Sequence, residues 1–103
     1  MAERMKIRAD LRAGTVEAKV LMYHPMENGL RKDPDGKPIP AHFIQKVTAS
    51  LNGKVVLAAS WGSGVSKDPY LAFRFKGAKA GDRLVVAWED NLGGKGEGER
   101  VIT

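Results

Sequence analysis

A chain of 103 residues with 43% hydrophobic composition is sized for one domain and one core. Seventeen basic against 12 acidic residues leave a net charge of +5, which favours an anionic partner, but the charges are scattered and no basic or aromatic motif of a nucleic-acid reader appears. Cysteine is absent, which excludes disulfides, zinc-thiolate sites, a thiol nucleophile and any sulfur carried covalently on this polypeptide.

Met5, Ile7, Ala9 and Leu11 alternate with Lys6, Arg8 and Asp10, the period-two signature of a strand with one wet face. After Gly14, the pattern repeats in Val16, Ala18, Val20 and Met22, predicting a second strand from about Thr15 to Tyr23. His42 to Leu51 and Lys54 to Trp61 flank Asn52-Gly53, a strong signal for a tight hairpin turn. Leu71, Phe73 and Phe75 alternate with polar neighbours in a strand from Tyr70 to Lys76 that Pro69 introduces. The chain turns at Lys79 to Asp82, and Leu84, Val86 and Trp88 carry the next strand, with Trp88 in the core. Gly62 to Gly64 and the run Gly93 to Gly98 lack the strand-to-helix setting of a phosphate loop and read as turns and flexible connectors, the latter leading to a short final strand near Arg100 to Thr103. Seven short strands without a helix predict an all-β chain, an immunoglobulin-like antiparallel β-sandwich spanning residues 1–103.

The hairpin poses a problem of parity. Counted out from the Asn52-Gly53 turn, Leu51 pairs with Lys54, Thr48 lies near Leu57 and Ile44 near Trp61. One face then carries Phe43, Val47, Ala49, Leu51, Val56 and Ala58, while the other carries Ile44, Val55, Leu57, Ala59 and Trp61 and is too apolar to stay in water. Either a β-bulge switches the parity along the hairpin, or a partner protein covers the second face through Leu57 and Trp61. Open sheet edges would also invite a partner strand, or a second copy of the isolated chain.

Between the second and third predicted strands runs His24 to Phe43, which holds both histidines and four of the five prolines. A connection of this length in a small domain is usually a binding loop or a disordered segment. His24, Met26, Glu27 and His42 could be offered to a metal, but two histidines without cysteine make a thin ligand set, and His24 with Glu27 lacks a nucleophile to activate. No metal, cofactor or catalytic residue is therefore assigned. The turn formers Asn28-Gly29 and Asp35-Gly36, with Pro34, Pro38 and Pro40, predict a partly rigid loop, which loses little entropy on binding. Arg31, Lys32 and Lys37 offer donors to carboxylates or sulfur oxyanions, and Met26, Ile39 and Phe43 offer apolar anchors; the plainer alternative is a loop that caps the end of the sandwich.

The segments HPMENG (24–29), RKD (31–33), GKPIPAHFI (36–44), NGK (52–54), Trp61-Gly62, SKDPYLAFRFKG (66–77), AGD (80–82) and VVAWEDN (85–91) resemble the SoxZ family of the bacterial sulfur-oxidation (Sox) system, from Lys6 to about Asn91. The resemblance implies the same sandwich and a non-catalytic subunit without cofactor. Such a subunit pairs with SoxY, whose glycine-rich C-terminal arm bears the cysteine that holds the sulfur substrate, usually from thiosulfate, while other Sox enzymes act on it. It also implies a periplasmic setting. MAERMKIRADL has no apolar stretch of a secretion signal and no run reaches the ~18 residues of a membrane span, so export together with the partner is expected. On this reading the partner surface comprises His24, Pro25, Met26, Glu27, Asn28, Gly29, Arg31, Lys32, Asp33, Ile39, Pro40, His42, Phe43, Leu57 and Trp61. Neither nucleic acid nor membrane is an expected partner. Two other readings stand beside it: a small metal or redox protein using His24 and His42, and a self-associating immunoglobulin-like binding module.

Overall fold

A computed structural model describes residues 5–103. Seven antiparallel strands, β1 (Met5–Arg12), β2 (Thr15–Met22), β3 (Ile44–Leu51), β4 (Lys54–Ser60), β5 (Tyr70–Lys76), β6 (Arg83–Asp90) and β7 (Lys95–Val101), form two sheets. One has the order β1-β2-β5 and the other β4-β3-β6-β7, so the chain is an all-β sandwich of the expected class. Among the described residues no helix is long and apolar enough to cross a membrane.

Alternation does what the sequence demands of it. Val16, Ala18, Val20 and Met22 on β2 are fully buried and face Val47, Ala49, Leu84, Val86 and Trp88 of the opposite sheet's core. β1 packs on β7, which closes one side of the sandwich. The tight turn between β3 and β4 pairs Leu51 with Lys54, and Asn52 and Gly53 both take positive φ (48° and 86°), the left-handed pair that a type I′ turn requires. Asn52 also fastens the turn to β6, accepting the Arg83 N–H at its Oδ1 (3.0 Å).

Two register shifts resolve the parity problem. Between β3 and β4 the ladder slips at Ala49/Ser50, so Ala49 opposes Leu57, Val47 opposes Ala59, and Val56 is the extra residue. Thr48 therefore faces Ala58 rather than Leu57 as counted from the turn. Between β3 and β6 a second slip at Ile44/Lys46 lets Ile44 and Val47 both point inward although they are an odd number apart. Trp61 bonds the Gln45 carbonyl (2.9 Å), one residue beyond its expected neighbour Ile44. Ile44, Leu57, Ala59 and Trp61 thus join the one core, and Val55, at 55% exposure, is left outside.

The glycine-rich run is the main departure from the sequence reading. Residues 95 to 98 are strand, not connector, and β7 starts at Lys95 rather than near Arg100. The glycines are there for space: a Cβ on Gly96 would lie 2.3 Å from the Trp88 indole, and one on Gly98 would lie 2.7 Å from the Met5 side chain. Side-chain-free positions on β7 let the Trp88 ring approach the strand closely and let β1 dock against it.

The molecule is elongated, 53 × 26 × 21 Å, with a radius of gyration of 15.5 Å against about 13 Å for a compact chain of this length. Eight-residue strands span only about 27 Å. The excursion between β2 and β3, residues 23–43, belongs to neither sheet.

Candidate functional site

That excursion is an irregular hairpin. Glu27 and His42 exchange backbone bonds (2.7 and 2.8 Å), Ile39 N–H reaches the Arg31 carbonyl (2.8 Å), and Asp33 closes the tip, its carbonyl and amide bonding Gly36 and Lys37. The Asp33 Oδ1 also accepts the Asp35 and Lys37 amides, which fixes the Pro34-Asp35-Gly36 turn. Gly29, with φ 84°, sits where a Cβ would press on Ala41 at 3.3 Å, so the two legs approach closely only because it is glycine. The arm carries its own ladder of backbone bonds, and Pro38 and Pro40 restrict its return leg.

Its base is a buried polar node. Asp90, the last residue of β6, is 5% exposed and His24 is 3% exposed. The Met26 amide donates to His24 Nδ1 (3.2 Å), which leaves the ring proton on Nε2; that Nε2–H donates to Asp90 Oδ2 (3.0 Å). His42 Nε2 donates to the same oxygen at 2.8 Å. The other carboxylate oxygen accepts the Leu92 and Gly94 amides (3.0 and 2.6 Å), so both oxygens are doubly bonded by donors. Burial alone would push the Asp90 carboxyl up, but these four bonds outweigh it and bring the pKa down to about 2. The His24 ring also meets Trp88 edge to face at 4.9 Å and His42 at 4.5 Å.

Asn91 and Asp68 complete the attachment. Asn91 Oδ1 accepts the Phe43 amide (2.8 Å) and its Nδ2 donates to the Ala41 carbonyl (2.9 Å), holding the arm's return leg. Asp68 Oδ1 accepts the His24 amide (3.1 Å), and the Asp68 amide returns a bond to the His24 carbonyl (2.9 Å), holding the outgoing leg. Met26 takes φ 51° and turns its sulfur to the Ile44 amide (3.3 Å).

The residues expected at a partner surface therefore divide. His24 and Met26 lie beneath the surface and shape the arm from inside. His42, its side chain 34% exposed, and Phe43, packed on the core, line the base. Glu27, Asn28, Gly29, Arg31, Lys32, Asp33, Ile39 and Pro40 form the arm, with Pro25 exposed at its root. Arg31 donates from Nε to both Glu27 oxygens (3.1 and 3.2 Å) and also from Nη2, and this pairing holds the Glu27 carboxyl below its ordinary value and raises Arg31. Leu57 and Trp61 stand apart on and after β4, half-buried. Asp90, Asn91 and Asp68 were not legible as site residues, since nothing local in the sequence ties them to the histidines. Leu30 was also overlooked: it stands 84% exposed on the arm, beside Arg31.

His24, His42 and Asp90 place three ligand atoms within 4.8 Å of one another, close enough to hold a cation. The tautomer argues against it. A metal-bound imidazole normally donates its other N–H to an acceptor, whereas His24 Nδ1 is itself the acceptor of the Met26 amide. Ligation through Nε2 would move the proton to Nδ1, directly against that amide. The donor set suits a closed hydrogen-bonded node and fits a metal poorly.

A family model described as "Sulphur oxidation protein SoxZ" matches residues 5–101. A comparison with curated proteins gives no match. Among solved structures, the chain is similar to a superoxide reductase (neelaredoxin) from Ignicoccus hospitalis at 20% identity and TM-score 0.69, over 98% of this chain and 80% of that one. It is also similar to the reduced form of the Archaeoglobus fulgidus superoxide reductase (24% identity, TM-score 0.61, 98% and 89% covered) and to the hypothetical protein PH1083 from Pyrococcus horikoshii OT3 (19%, 0.63, 96% and 85%). At these identities the likeness is one of fold.

Proposed function

The chain belongs to the SoxZ family of sulphur oxidation proteins, and from that premise we propose that it is the non-catalytic subunit of a sulfur-carrier heterodimer. It supports a partner whose C-terminal cysteine arm holds the oxidised sulfur group. The family match over residues 5–101 carries the reading. Two properties of the chain support it. Without a single cysteine it cannot carry the sulfur itself. The one cluster of metal-ligand type among the described residues is bonded within itself: His24 and His42 give their Nε2 protons to Asp90, His24 Nδ1 accepts the Met26 amide, and both Asp90 oxygens accept two donors.

The arm is the part of the molecule built for recognition. Its ordering entropy is met within the fold, so a partner that reads Arg31, Lys32, Leu30 and Lys37 pays little to order it. These groups suit transient contact with the sulfur oxyanion or with the other enzymes of the pathway. The setting proposed is the periplasm, reached together with the carrier subunit.

The reductase activity named for the structural neighbours would need a redox centre here, and the His24 tautomer works against one. Coexpression with a carrier subunit ending in a glycine-flanked cysteine tests the main reading. A one-to-one complex that survives size-exclusion chromatography at micromolar concentration is the expected result. Two chains that elute separately would end it.

A further inference from the structure

The sandwich is closed on one side and open on the other. β1 packs on β7, but a three-stranded sheet cannot cover a four-stranded one, and the deficit falls on the two edges at the far side, β4 and β5. Burial shows it strand by strand. On β2 the inward residues Val16, Ala18 and Val20 are all at 0%, whereas their partners across the ladder on β5, Phe75, Phe73 and Leu71, are only half-buried. On β3, Val47 and Ala49 are at 1% and 0%, whereas their β4 partners Ala59 and Leu57 are half-buried. Trp61 continues that row, also half-buried. Phe73 and Phe75 stack with ring centroids 5.9 Å apart. Inward-facing aromatic groups have thus been left with an uncovered flank, beside two strand edges that have no neighbour among the described residues.

Charge says what covers it. The segment 52–81, which spans both edge strands and the loops at their ends, carries Lys54, Lys67, Arg74, Lys76 and Lys79 against the one acid Asp68. Arg74 meets Glu17 (3.3 Å), and Lys67 and Lys79 act on Glu27 and Asp82, so Lys54 on β4 and Lys76 at the end of β5 are left to frame the strip. All five cations are exposed, and the acid is engaged with His24. An apolar strip framed by cations calls for an acidic partner. It opposes a second copy of this chain, because pairing the same side with itself would bring two such frames together.

We propose that the open β4–β5 side is the seat of the carrier subunit, an acidic-edged protein that covers Leu57, Trp61, Leu71, Phe73 and Phe75 and pairs with the free edges. This rests on the reading that the chain pairs with such a subunit. The site lies on the side wall of the sandwich, which leaves the arm free for other contacts.

Hydrogen exchange of the unaltered chain, alone and in its coexpressed complex with the cysteine-tailed carrier, locates the seat without any risk of misfolding. Amides in residues 54–61 and 70–76 are expected to slow by tenfold or more in the complex. A complex that forms but protects only the arm, or only β1 and β7, overturns the seat while leaving the pairing intact. Failure to form any complex overturns the pairing, and the seat with it. The exposed double variant Lys54→Glu/Lys76→Glu should fold normally and weaken the complex at least tenfold at low salt, a difference that shrinks as salt is raised. Unchanged affinity overturns the charge argument, as does a homodimer of the chain alone that is protected over the same two strands.

Discussion

Replacing Asp90 by asparagine tests whether charge holds the base of the arm. The carboxylate accepts two Nε2–H groups on one oxygen and two backbone amides on the other. An amide of the same shape has one accepting oxygen and one donating nitrogen, so either the two imidazoles or the two amides must face a donor. The magnitude follows from the folded pKa of about 2 against an ordinary 3.8. At about 1.4 kcal/mol per unit this corresponds to roughly 2.5 kcal/mol. Because the folded value is depressed, that stabilisation is complete above the ordinary value and is lost as pH falls toward about 2. Urea unfolding of the parent and of Asp90→Asn should therefore differ by about 2–3 kcal/mol at neutral pH, or on the order of 10–20 °C in Tm for a chain of this size. The gap should fall to roughly half by about pH 3 and be nearly gone by about pH 2. Other acids cancel between the two proteins. A gap that is unchanged between neutral pH and pH 3, or absent throughout, would refute the charged node.

Gly96→Ala places a methyl 2.3 Å from the Trp88 indole and is expected to cost about 1–3 kcal/mol or more, with a shift in tryptophan emission; parental stability would mean that β7 does not lie there. Gly53→Val forces a branched side chain to φ 86° and should cost about 1–2 kcal/mol in denaturant unfolding, without changing the fold seen by circular dichroism. Calorimetric titration with Zn2+ or Co2+ at neutral pH should show no stoichiometric binding. One equivalent of Co2+ producing a visible spectrum that His42→Ala abolishes would overturn the tautomer assigned to His24.

Period-two alternation, the Asn52-Gly53 turn and Pro69 were enough to place six of the seven strands, because each is a local signal that tertiary packing reinforces. The seventh was hidden because GGKGEG reads as a connector on composition, and its glycines make sense only once Trp88 and Met5 lie above them. The parity conflict in the hairpin left a bulge and a covered second face both open; the ladders contain the bulge, and the position of the two slips depends on pairing with β6 as well as with β4. The node was half legible. Both histidines stood out by their rarity, whereas Asp90 is 66 residues from His24 and 48 from His42, and only the β3–β6 ladder, which sets Ile44 against Asp90, brings them together.

The same ladder gives the node a reach beyond its own bonds. Asp90 holds the rings of His24 and His42, one on each leg of the arm, and the adjacent Asn91 holds the backbone of Ala41 and Phe43. The first rung of the arm, the Glu27–His42 pair, sits immediately beyond these anchors, while its tip bonds at Asp33 are purely local. Weakening Asp90 should therefore loosen the arm from its base outward. In Asp90→Asn, the β1 and β2 amides should follow the loss of global stability, while hydrogen exchange of the Glu27 and His42 amides should be at least tenfold faster than in the parent and report an opening free energy well below that of β1 and β2. The Asp35 and Lys37 amides at the tip, held by the Asp33 carboxylate, should change little. Glu27 and His42 amides that report the same opening free energy as β1 and β2 would instead mean that the node contributes only to global stability, and the arm would then owe its order to its own hairpin bonds and prolines.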